Sequence, residues 1–174
     1  MLNAEDNTSL QSEFLISVVL KKTRKQVKQW SSWDWSIAGV VVNDPAGAGD
    51  VWGAVIQEND DQAQYLFRGM RLQLFKDGCE GYWYNLTSEK ASLFLVCDIE
   101  DESMAQPMLI TANQDEAMAH MESDELVLST PIPPQIYHHI EAFVVANYLP
   151  AAKKKRKRRD WVGESEYAKR QQNH

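Results

Sequence analysis

Short runs of alternating or continuous apolar residues, each closed by turn-forming residues, fill the chain to about residue 130; beyond that the spacing becomes helical. Phe14 to Leu20 reads as a strand, rich in β-branched residues and free of turn formers. Lys21 to Lys28 holds five cations in eight residues and no acid, between two strand-like runs, so it is assigned to a loop or turn. Trp33 to Ile37 alternates and, with Val40 to Val42, forms a second strand interrupted at Gly39, where a bulge or close packing is expected. Residues 43–50 form a loop by their turn chemistry, Val51 to Gln57 a third strand, and Asn59 to Gln62 the next turn. Tyr65 to Phe75 alternates with a change of register near Gly69, which predicts one bulged strand or two strands. After the turn at Asp77-Gly78 an aromatic-rich segment resumes at Tyr82 to Leu86, and Leu93 to Ile99 is the plainest buried strand.

The acidic stretch Asp98 to Glu102 is a loop, and Met108 to Thr111 a short strand. Asn113 is placed to cap a helical turn over Gln114 to Met121, with Asp115 and Glu116 near its positive end. Leu126 to Leu128 is again a strand, stopped by the prolines of 130–134. From Pro134, Ile136, Ile140, Phe143, Val144 and Tyr148 share one helical face, and Pro150 ends the run. Strands this closely spaced pair antiparallel, because parallel crossovers need a dozen residues or more. The expected fold is therefore α+β: a mainly antiparallel curved sheet or small partial barrel, a short helix, a C-terminal amphipathic helix, and a disordered basic tail. The expected organisation is a flexible leader over 1–12, one globular domain over 13–149, and the tail over 150–174.

Composition changes this picture little. The chain has 174 residues, 44 % hydrophobic and 25 % charged, ordinary values for a protein that buries a core. The longest apolar runs, Phe14 to Leu20 and Ile37 to Val42, fall far short of the roughly 20 residues that cross a bilayer. Residues 1–12 contain no basic side chain and do not read as a secretory leader, and two cysteines leave a reduced cytoplasmic setting as the expectation.

Charge is more informative. Residues 1–150 carry 22 acidic and 9 basic side chains, whereas residues 151–174 carry 3 acidic and 9 basic. Such a division between body and tail suggests contact with a partner more than catalysis.

Residues in patterns that carry chemistry are few. Cys79 lies in a turn where Asp77 and Glu80 raise its pKa, and Cys97 lies inside an apolar strand, so both read as structural. His138 and His139 are adjacent and point about 100° apart on a helix, unlike the i, i+4 pair of a zinc site; His120 is alone and His174 terminal. Gly47-Ala-Gly49 lacks the Lys-Ser/Thr ending of a phosphate loop, and the clustered carboxylates lie in polar loops where solvent keeps them ionised. No catalytic, metal or cofactor residue is assigned.

Six tryptophans remain, with Trp33 and Trp35 on one side of a strand beside the basic segment and Trp83 between Tyr82 and Tyr84. Filling the core of a small sheet is their structural reading; a base-stacking surface or a protein-binding hot spot are the functional ones. The acidic body disfavours nucleic acid. The candidate partner-binding residues are Lys21, Lys22, Arg24, Lys25, Trp33 and Trp35, with Lys153, Lys154, Lys155, Arg156, Lys157, Arg158 and Arg159 in the tail. The tail is read as a solubilising end or as the ligand of an acidic protein surface, in another chain or in this one.

Taken in order, the opening strand and basic turn, Trp33 and Trp35, Tyr84-Asn85-Leu86, and Leu93 to Val96 form a pattern. It continues with Thr111-Ala112, Glu116-Ala117, Val127, Pro131-Ile132-Pro133, Ile140, Phe143-Val144 and the basic run Lys155 to Arg158. The pattern resembles domain-of-unknown-function family 3305, a bacterial group, over about residues 13–159. The resemblance implies genes neighbouring molybdenum-dependent formate dehydrogenase and an accessory role in making or delivering that enzyme; it transfers no catalytic residue. The leading expectation is thus a non-catalytic cytoplasmic protein whose partner is a formate dehydrogenase subunit or maturation factor. The alternatives are a nucleic-acid-binding module using the basic segments and tryptophans, and a carrier of a molybdenum cofactor intermediate.

Overall fold

Two antiparallel sheets and three short helices make up the computed structural model, which describes residues 12–44, 52–99 and 104–148. In chain order they are β1 (Glu13–Val27), β2 (Trp30–Val42), β3 (Trp52–Glu58), β4 (Gln62–Gln73), α1 (Cys79–Leu86) after a 3-10 turn at Lys76–Gly78, β5 (Ser92–Asp98), β6 (Gln106–Thr111), α2 (Gln114–Glu122), β7 (Leu126–Pro131) and α3 (Pro134–Asn147). The larger sheet has the order β2-β1-β4-β3 and the smaller β6-β5-β7. The expected mainly antiparallel α+β architecture is therefore present, its strands divided between two open sheets that do not close into a barrel.

One face of β1 supplies Phe14, Ile16, Val18 and Leu20 to the core, facing Phe67, Met70 and Leu72 of β4. Leu93, Leu95 and Cys97 of β5, Tyr82 and Leu86 of α1, and Ile136, Ile140, Phe143 and Val144 of α3 complete the same cluster. The α3 face is the one its periodicity predicts, and Tyr148 packs against it. Against the smaller sheet lies α2, capped as expected by Asn113, whose side chain accepts the N–H of Asp115.

Bulges shape the larger sheet. Arg68 and Gly69 of β4 oppose Ser17 alone, and Gly69 takes φ +76°, a conformation open to glycine without strain. Asp44 fixes this point: its carboxylate accepts the Ser17 hydroxyl at 3.0 Å and meets Arg68 Nε at 3.2 Å. On β2 the extra residue is Ala38, next to the glycine at which the interruption is expected, and β3 carries extra residues at Gly53 and Ile56.

Three expectations are corrected. Lys21 to Lys28 is not a loop: β1 continues to Val27, and only Lys28 and Gln29 turn the chain, Lys28 with φ +54°. Residues 79–86 form a helix, so Cys79 opens α1 instead of lying in a turn; burial of Gly81, Tyr82, Asn85 and Leu86 selects the helix over aromatic β-propensity. Nor do the tryptophans fill the core. Trp30, Trp33, Trp52 and Trp83 are exposed and Trp35 half-buried, because aliphatic side chains with Phe14, Phe67 and Phe143 occupy the interior. The expected loop glycines Gly47 and Gly49, Pro150, Trp161, residues 1–11 of the leader and the basic tail lie outside the described residues.

Candidate functional site

The long β1–β2 hairpin outruns the rest of the fold. Core burial along β1 ends at Lys22, and every residue from Arg24 to Asp34 is exposed. At Thr23 the pairing with β4 also stops, so the hairpin continues as a two-stranded ribbon. Strand alternation sorts its basic residues between two faces.

On the face continuous with the core, Lys22 pairs with Trp35, and Arg24 with Trp33. The Lys22 ammonium lies 4.8 Å from the Trp33 ring centre and 5.4 Å from that of Trp35. An ammonium this close to two indole rings gains about 1–2 kcal/mol, which offsets part of the cost of placing a lysine that is only 9 % exposed. The register sets Trp35, Lys22, Ala63 and Glu58 in one row across all four strands, and Ile37, Leu20, Tyr65 and Val55 in the next. Tyr65 meets Trp35 with ring centres 5.8 Å apart, and burial together with nearby Glu58 raises its hydroxyl pKa. Trp33 and Val55 are about half exposed, so this face offers apolar and aromatic surface around a fixed cation, with Arg24 beyond it.

The opposite face carries Lys21, Lys25 and Val27 with Trp30 and Asp34. Lys25 Nζ contacts Asp34 Oδ2 at 2.8 Å; with both groups more than half exposed, the pair adds at most about 1 kcal/mol. Trp30 is 81 % exposed beside Val27. Of the six candidate residues in the described structure, the fold thus brings together Lys22, Arg24, Trp33 and Trp35, and sends Lys21 and Lys25 to the other side. Tyr65, Val55 and Glu58 join the first group only through the register of β3 and β4. Nothing local in the sequence marks them. The candidates Lys153 to Arg159 lie outside the described residues.

Elsewhere the chemistry is structural. Burial pushes the Cys97 thiol up to about 12. Burial also raises Cys79, with Asp77 adding to the rise and Lys76 opposing it, despite the position of this thiol at the start of α1. Cys97 is accordingly expected to resist alkylation by iodoacetamide at pH 8 in the folded protein and to react on denaturation, as thiol counting by mass would record. Because the unfolded chain releases this proton near pH 9 and the native state holds it to about 12, stability falls across that window by about 1.4 kcal/mol per pH unit.

His139 packs edge-on against Phe14, and His120 pairs with Glu125. Among the described residues no three His, Cys, Asp or Glu side chains are grouped to hold a metal ion, and no helix is long and apolar enough to cross a membrane. A cavity of about 460 Å³ is lined by Phe75, Asp77, Gly78, Tyr82, Asn113 and Glu116.

Residues 15–158 match the model of a family described as Protein of unknown function (DUF3305). The chain belongs to that family, as its pattern of residues suggests. No curated protein and no solved structure matches it.

Proposed function

We propose that this member of domain-of-unknown-function family 3305 is a non-catalytic cytoplasmic accessory protein that binds another protein through the Lys22–Trp33–Trp35 face of its hairpin. The observation that carries this reading is the half-exposed aromatic surface around a largely buried lysine whose ammonium lies over two indoles. Tryptophan, tyrosine and arginine are the residue types that most often dominate protein interfaces, and here they stand together on one face of the larger sheet and the ribbon that extends it. The partner class is a subunit or maturation factor of a molybdenum-dependent formate dehydrogenase, drawn from the gene neighbourhood that the family resemblance implies. A cofactor-carrier role is less well supported at the cavity beside Tyr82, where Asp77 and Glu116 would repel a phosphate-bearing pterin.

Co-purification with the tagged full-length chain from native extract tests the reading. Formate dehydrogenase components should be enriched, and Trp33→Ala combined with Arg24→Glu should reduce their recovery about 30-fold or more. Absence of enrichment, with unchanged formate dehydrogenase activity after gene deletion, would refute it. Arg24 with Trp33 on one face of the ribbon, and Lys25 with Trp30 on the other, also support a nucleic-acid reading. That reading requires binding of single-stranded oligonucleotides that weakens steeply with added salt.

A further inference from the structure

Three carboxylates border the start of α1. Asp77 and Glu116 line the cavity of about 460 Å³ that Phe75, Gly78, Tyr82 and Asn113 complete, and Glu80 is exposed on the first turn of the helix. The neutral polar groups of the cavity are engaged within the fold: the Tyr82 hydroxyl accepts the Phe75 N–H and Asn113 Oδ1 the Asp115 N–H, both at 3.1 Å. The carboxylates are not. Among the described residues no lysine, arginine or histidine forms an ion pair with any of the three, Lys76 being the cation next to them in sequence. Their field reaches two tyrosines. Burial raises the Tyr82 hydroxyl pKa, against the effect of the Phe75 N–H, and Glu116 and Asp77 raise it further; burial and Glu80 raise that of Tyr148. With Phe75 half exposed beside them, these groups offer a lysine both opposite charge and an apolar surface for its stem.

The chain itself delivers cations to this place. Helix α3 ends at Tyr148, which stands near Glu80 and Tyr84 of α1 and takes an extended conformation, φ −107° and ψ 116°. Lys153, the first of seven consecutive cations, follows five residues later, after the uncharged residues 149–152. Five extended residues span up to about 17 Å, more than the length of α1, about 12 Å. The family match also runs through this segment to residue 158, which makes the basic run part of the same unit as the folded body.

We propose that the basic run 153–159 of this chain turns back across the first turn of α1 and seats its cations on Glu80, Asp77 and Glu116, with lysine stems against Phe75. The docked run neutralises the acidic end of its own domain and is thereby withheld from other anions. The contact lies apart from the Lys22–Trp33–Trp35 face and stands independently of the accessory role.

Zero-length carbodiimide coupling in the full-length chain, read by mass spectrometry, tests the placement, and trypsin tests the strength. Coupling is expected to join Lys153, Lys154, Lys155 or Lys157 to Asp77, Glu80 or Glu116 within one-chain species, at a yield independent of protein concentration. Trypsin should cut within 153–159 about 5-fold faster in Asp77→Asn/Glu116→Gln than in the wild type, with the difference lost at about 0.5 M salt. The control Glu89→Gln/Asp124→Asn removes the same charge just beyond the far ends of α1 and α2 and should leave the rate at the wild-type value. All four side chains are exposed, so urea midpoints should stay where they are. Coupling products confined to two-chain species, or to carboxylates elsewhere, overturn the inference, as does equal cleavage of the wild type and the Asp77/Glu116 variant. Equal acceleration by the control would reduce the contact to unspecific attraction and overturn it too.

Discussion

Replacing Asn85 with alanine is expected to lower the unfolding free energy by about 3–5 kcal/mol, read as a lower urea midpoint at unchanged slope. Asn85 is 2 % exposed and uses its whole amide. Nδ2 donates to the carbonyls of Ser92 and Ala112, both at 2.7 Å, and Oδ1 accepts the Ser92 N–H at 3.0 Å. One side chain therefore fastens α1 to the start of β5 and to the end of β6. Alanine strands two carbonyls and an N–H in a place partly or wholly closed to water, at about 1–3 kcal/mol each. A domain of this size holds only about 5–15 kcal/mol in total, so the variant loses a large share of its stability. A change below about 1 kcal/mol would mean that water takes over the amide's bonds.

Truncating Phe67 to alanine should cost a similar amount, about 3–5 kcal/mol, for a different reason. The ring is fully buried on β4, beside the bulge at Gly69 and opposite Val18. Trp52 meets it edge-on, with centres 5.2 Å apart. Alanine opens a cavity at the middle of the larger sheet and removes the anchor of β3, whose strand pairing runs to β4. Amide hydrogen exchange at Ala54 and Val55 should accelerate more than exchange in β5. Leucine at position 67 should recover most of the loss, since it restores much of the volume. Equal stability of the alanine and wild-type proteins would contradict the core described above.

The parts of this fold legible in the sequence are those governed by local rules. The α3 face, the Asn113 cap, the bulge at Gly69 and the Asn59 turn, where Asn59 Oδ1 accepts the N–H groups of Asp61 and Gln62, each follow from a few adjacent residues. The strand over Lys21–Val27 is hidden because the five cations of Lys21 to Lys28 look like a loop and Lys28-Gln29 lacks the Asn-Gly or Asp-Gly of a common hairpin turn. Helix α1 was hidden because Tyr82, Trp83 and Tyr84 favour strands, and only contact with α3 and β5 decides otherwise. The candidate site was half legible. Trp33 and Trp35 share a face by alternation within one strand, but joining Lys22 to Tyr65, Val55 and Glu58 requires the pairing of four strands separated by long stretches of chain.

That strand order also governs biosynthesis. The β1–β2 hairpin is complete once residue 42 has emerged, whereas its second neighbour β4 ends at Gln73, about 30 residues later. At about 5–20 residues per second, a ribosome takes about 2–6 s to deliver it. Through that interval Ile16, Val18 and Leu20 have no strand to cover them on one side, which makes the nascent hairpin a natural client for a chaperone stationed near the exit tunnel.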